Sequence, residues 1–159
     1  MAYSGGSSKV AAGIRVLMLQ VPGVANVFEY MPMARDWKSF LAKFQDDVAG
    51  NIAGWAIERK STQNEWLTSD QNLWTHRMVI RGYYGVNEAH ETGKAFTALV
   101  DDVVNKFDDD KDLLGMVEEH QPAQVRVQDH RVFGGVLVHY CEIEISCQER
   151  ITRLPGGSS

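Results

Sequence analysis

At 159 residues and 44% hydrophobic content, the chain is long enough for one domain with a substantial core. Its 16 Lys and Arg against 21 Asp and Glu leave a net charge of −5, and no basic run interrupts that balance, which argues against a protein that coats nucleic acid. No apolar run approaches the length of a membrane span, and the small, polar stretch Met1–Ser8 carries no expected signal peptide.

Residues 1–8 are expected to be a flexible arm, 9–151 a single domain, and 152–159 a flexible tail. Ser7 or Ser8 is placed to cap a first helix running to about Leu19, with Val10, Ile14, Leu17 and Met18 on one stripe. Val21-Pro22-Gly23 ends it. Val24–Tyr30 reads as a short strand closed by Met31-Pro32. Arg35–Asp46 is a second helical segment, with Trp37, Phe40, Leu41 and Phe44 on one face. Gly50–Lys60 alternates weakly and reads as a strand, and the polar stretch Ser61–Asp70 as a turn. Leu73–Tyr84 is a long strand with Trp74, His76, Met78 and Ile80 on one side.

Asn87 or Glu88 is expected to open a long helix, with Glu88 and Glu91 favouring its N-terminus. Phe96, Leu99, Val100, Val103, Val104 and Phe107 recur at helical spacing. The Asp-rich connector Asp108–Asp112 follows, then a short helical turn over Leu113–Val117. Ala123–Asp129 and Gly135–Gln148 alternate as the two strands of a final hairpin. Leu137, Cys141, Ile143, Ile145 and Cys147 share one side of its second strand, and Leu137, Ile143 and Ile145 are expected to pack against the helix. The pattern predicts an α+β fold: a mainly antiparallel sheet with helices packed on one face, in a single domain.

Chemical motifs fail residue by residue. Gly93-Lys94 lacks the earlier Gly of a phosphate loop (position 88 is Glu), and Ala95 stands where a magnesium-binding hydroxyl is needed. His90-Glu91 has Lys94 where a zinc-protease helix needs its second His. The acidic residues around Asp108–Glu119 lack the Gly and closing Glu of a calcium loop. No Gly-x-Ser-x-Gly elbow is present. His120, His130 and His139 show no paired metal-ligand spacing, and His139 reads as a hydrogen-bonded core residue. Cys141 and Cys147 lie about 20 Å apart on one extended strand, beyond disulfide reach, and read as buried thiols. No catalytic residue, cofactor site or metal site is assigned.

The four tryptophans Trp37, Trp55, Trp66 and Trp74 fall within one quarter of the chain, and some of them are expected in the core. Asn64, Glu65, Thr68 and Ser69 surround Trp66, which is poor company for a buried ring. Trp66, with Asn64, Glu65 and Leu67, is therefore a candidate interface, the other reading being a local mini-cluster beneath the loop.

In order and pattern the chain resembles the tail terminator and related tail-completion proteins of long-tailed bacteriophages. The resemblance rests on the helix Val10–Leu19, the early strand ending at Met31-Pro32 and the polar insert Ser61–Asp70. It continues through the strand Trp74–Tyr84, the helix Ala95–Phe107 and the closing strand Val136–Cys147, covering most of residues 9–151. It implies a non-enzymatic virion protein, assembled in the host cytoplasm. Such a protein forms a ring, usually of six copies, on the head-proximal end of the tail tube. The ring ends tube growth and presents a surface to the neck. The implied partners are other copies of the chain, the tail tube protein and a neck or connector protein, with DNA passing through without sequence-specific binding and no membrane. In such a ring Asp108, Asp109, Asp110 and Asp112 are candidates to line the channel or to form an acidic outer surface. The alternatives are a head-to-tail connector or stopper and, in a different class, a small intracellular enzyme or ligand-binding domain.

Overall fold

The computed structural model describes residues 6–32, 42, 52–87, 91–133 and 135–153. The chain forms α1 (Ser7–Leu19), β1 (Val27–Phe28), β2 (Ala53–Thr68), β3 (Gln71–Gly85), α2 (Thr92–Asp109), β4 (Glu119–His120), β5 (Gln124–Phe133) and β6 (Val136–Thr152). The expected helix Arg35–Asp46 lies outside the described residues except for Ala42, as do most of the expected arm and tail.

The six strands form one mixed sheet in the order β1-β2-β3-β6, and β4 and β5 share the far edge of β6. Every pairing is antiparallel except β1 with β2. This is a single-domain α+β fold, with α1 and α2 contributing to the core on one face of the sheet.

The two helical stripes meet that face as their spacing demands. Val10, Ile14, Leu17 and Met18 of α1 join Phe96, Val100, Val103 and Phe107 of α2, and all eight are at most 1% exposed. They cover Trp55, Ile57, Met78, Ile80, Ile143 and Ile145. Gly82 admits the Trp55 ring: a Cβ there would stand 2.5 Å from Trp55 Cζ3 and 2.8 Å from Cys141 Sγ. The opposite face carries a smaller cluster of Ile52, Tyr83, Val138 and Tyr140. Burial pushes the Tyr83 phenol up to about 12.

Several expectations change in the structure. The cap of α1 is Gly6, with no side-chain hydrogen bond, and Ser7 is already helical. The early strand shrinks to Val27–Phe28. Asn26 takes a left-handed φ of 54° and donates from Nδ2 to the Ala53 carbonyl, which ends the extended run. α2 begins at Thr92, after the left-handed Glu91, so no acidic side chain occupies its first turn. At its far end β6 extends through Thr152, past the expected domain boundary.

Ser61–Thr68 is strand, not turn: only Ser69 and Asp70 connect β2 to β3. Its β-competent Thr62, Trp66 and Thr68 continue the ladder with β3 from Thr62↔His76 to Thr68↔Gln71, across bulges at Arg59/Ser61 and Trp66/Thr68. Leu113–Val117 is not helical. Leu113, Leu114 and Gly115 have φ of 50°, 60° and 83°, which no right-handed helix accepts. A left-handed Leu costs about 1–2 kcal/mol. Full burial of Leu113 (0% exposed) offsets this with about 1.5–3 kcal/mol. Half-exposed Leu114 has no such offset. Gly13 makes room for the segment, since a Cβ there would sit 3.2 Å from Leu113 Cβ and 3.1 Å from Met116 Cβ. Leu137 has the expected parity but is 49% exposed, because it lies beyond the end of the helix-covered core.

Candidate assembly surface

β2 is buried only to Ile57. From Arg59 to Thr68 every residue is exposed except half-buried Thr62, while β3 and β6 run alongside as far as Gln71↔Thr152. The three strand ends form an arm in which β2 is exposed while Asn72 and His76 of β3 and Glu149 of β6 stay buried. β1 pairs only with Trp55 and Ala56, so the outer edge of β2 along the arm has no strand beside it among the described residues.

The arm brings together the four candidate interface residues. Trp66 is 65% exposed and Leu67, the extra residue of the second bulge, is 42% exposed. Asn64 and Glu65 are exposed as well, and Asn64 Oδ1 accepts from Asn72 Nδ2 at 3.0 Å. Asn64↔Trp74 and Trp66↔Asn72 are cross-strand pairs, so Trp66 and Trp74 occupy the same side of the arm. That side continues the helix-covered face. The Trp74 indole Nε1 is buried and has no acceptor among the described residues.

The arm is anchored by a polar relay. Thr62 Oγ1 is 2.9 Å from His76 Nδ1, and His76 Nε2 is 2.8 Å from Glu149 Oε1. That carboxylate oxygen also accepts the Gly6 N–H at 2.7 Å. The array matches a hydroxyl–imidazole–carboxylate triad in composition, yet His76 is fully buried, so no substrate reaches the imidazole. Its geometry suits a structural tie between the start of α1, the arm and the last strand. Sequence reasoning missed it because its members are separated by 14 and 73 positions; polar His76 on an otherwise apolar side of β3 was the available signal.

A second exposed apolar patch lies at the other end of the sheet. Val132 is 72% exposed and Leu137 49%, cross-strand partners on one face beside the β5–β6 turn, with Val136, 40% exposed, on the other face. With β6 17 residues long, this patch and the arm tip stand at opposite ends of a strand about 50 Å in extended length.

The acidic residues sit in the helical layer. Asp108 and Asp109 end α2 and are exposed, as is Asp112. Asp110 accepts the Leu114 N–H at 3.1 Å, and this bond lowers its carboxyl below the usual range. Asp110 is thus a local cap more than a free surface charge.

Two of the three C-terminal histidines come together: His130 and His139 are cross-strand partners with ring centroids 4.7 Å apart. His139 Nε2 is 2.9 Å from Thr92 Oγ1, which accepts the Asn87 N–H. His120 lies elsewhere, its ring nitrogens 2.8 Å from the carbonyl oxygens of Gln121 and Asp110. Among the described residues no cluster of three His, Cys, Asp or Glu could hold a metal ion. Cys141 and Cys147 are buried free thiols, each pushed up to about 12 by burial. No described helix is long and apolar enough to cross a membrane.

No protein-family model matches the chain, and no curated protein matches it.

Proposed function

We propose that the chain is a structural subunit that assembles head to tail with copies of itself, as a ring of the tail-terminator kind. In this reading the ring caps the head-proximal end of a phage tail tube and offers its free side to the neck. The observation that carries the reading is the arm: an exposed stretch of β2 bearing Trp66 and Leu67, whose outer edge has no strand beside it among the described residues. An exposed Trp with an adjacent apolar side chain is the composition of an interface anchor. The exposed pair Val132 and Leu137 supplies a second, non-identical surface. A ring requires two different surfaces that meet, whereas a two-fold dimer uses one surface twice.

The arm's bulges support the same reading. Each bulge twists the strand and discourages indiscriminate edge pairing while leaving side chains free to dock. The phage assignment itself rests on the sequence resemblance. The test is to measure the mass of the purified chain by light scattering, image any particle, and add it to growing tail tubes. Closed rings that stop tube elongation are expected. A chain that stays monomeric and leaves tube length unchanged would overturn the proposal.

A further inference from the structure

The face of the sheet turned away from the helices carries a cluster of cations around one buried carboxylate. Glu144 is 7% exposed. Arg77 Nη2 stands 2.7 Å from its Oε1, Lys60 Nζ 3.2 Å from its Oε2, and Arg126 Nη2 3.9 Å from its Oε1. Three cations on one carboxylate leave formal charge unmatched, and all three side chains are about half exposed. Nearby, Arg81 pairs with Glu58, and Arg131 faces Asp129 and Glu142. A cleft of about 130 Å³ opens beside Lys60 and Arg81, lined also by Glu58 and Glu142. Lys60 and Arg126 are the extra residues of two bulges, which bring them onto this face beside Arg77.

The complementary charge lies on the other side of the same molecule. Between Lys106 and Glu119 the chain has six carboxylates against Lys106 and Lys111. Asp108 and Asp109 end α2, where the helix dipole is negative and acidic side chains are disfavoured. Local helix stability therefore does not account for them. The sheet lies between this connector and the Glu144 cluster, so the two charged surfaces of one chain face in opposite directions.

We propose that the Lys60–Arg77–Arg126 face docks the acidic end of α2, Asp108 and Asp109, from a second copy of this chain. The inference rests on the reading of the chain as a self-assembling subunit and adds a charged contact between copies. Two oppositely charged surfaces on opposite sides of one subunit can satisfy each other only between copies, and each copy then offers one of each.

The test is sedimentation velocity of the full chain and three variants at matched concentration, in low and high salt, with circular dichroism for folding. The face variant is Lys60→Glu with Arg126→Glu, which leaves Arg77 on Glu144. The end variant is Asp108→Lys with Asp109→Lys, which the helix dipole favours. The third carries all four changes. Each pairwise variant is expected to weaken self-association about tenfold or more, the four-fold variant to recover it, and high salt to weaken the wild type. If the face variant fails to fold, Lys60→Gln with Arg126→Gln replaces it, and a smaller loss in the same direction is expected. A wild type that assembles while ignoring the reversals and salt overturns this contact and leaves the ring reading standing. A face variant that assembles normally but loses retention on heparin overturns it in favour of a nucleic-acid surface. A wild type that never assembles overturns both.

Discussion

His76 Nε2 stands 2.8 Å from Glu149 Oε1, and both side chains are closed off from solvent. The same oxygen holds the Gly6 N–H, so one carboxylate joins the first described residue to the arm and the last strand. Glu149→Ala would leave the buried His76 Nε2 and the half-buried Gly6 N–H without this partner. A loss of about 2–3 kcal/mol is expected in urea unfolding, because leaving buried groups unpaired costs more than an average hydrogen bond contributes. A variant with the wild-type midpoint would show that the relay does not hold the arm.

Gly82→Ala tests the packing of the helix-covered face. The added Cβ would meet Trp55 at 2.5 Å, and Trp55 is 2% exposed with little room to move. Overpacking of this kind costs about 1–3 kcal/mol. Thermal unfolding followed by tryptophan fluorescence should show a lower Tm; an unchanged Tm would mean that the ring has space the structure does not give it.

The thiols provide a reactivity test. Cys141 and Cys147 are buried and pushed up to about 12, so at pH 8 both remain protonated and shielded. The native chain should resist a thiol-labelling reagent, and both cysteines should react after unfolding in denaturant. Rapid labelling of the folded chain would contradict their placement in the core.

Much of this fold is legible in the sequence. The stripe Phe96–Phe107 and the alternation of Cys141–Cys147 each report a single buried face, and both stand where their periods place them. Ser61–Thr68 escapes the same logic because a strand exposed on both faces has no apolar alternation to display. Leu137 has the correct parity, but parity does not say where a covering helix stops. Tyr140 sits on the polar side of β6 and is still 3% exposed, since Tyr83 packs against it at 5.2 Å. At the candidate site, Trp66 is conspicuous from its polar neighbours alone. The Glu144 cluster is not, because its members come from four strands and meet through two bulges.

Acid sensitivity should trace to Glu144. Its carboxyl is held below the usual range chiefly by the hydrogen bond from Arg77, with Lys60 adding to the effect. A carboxylate lowered by folding contributes stability above its unfolded pKa of about 4.3 and loses it as pH falls through the lowered folded value. Arg77→Gln should therefore reduce stability at pH 7 and flatten the fall in stability below pH 5. A variant whose acid-unfolding curve superimposes on the wild type would remove Glu144 from the account.

Whether the arm is an assembly interface is decided by comparing the mass of wild type and Trp66→Ala by light scattering at matched concentration, with circular dichroism as the folding control. Trp66 is 65% exposed near the tip of the arm, and truncating an interface anchor of this kind commonly costs about 2 kcal/mol or more per contact. A closed oligomer is expected for the wild type and a shift towards monomer for a folded Trp66→Ala chain. An oligomer of unchanged mass and concentration dependence in the variant would contradict the arm's role as an interface.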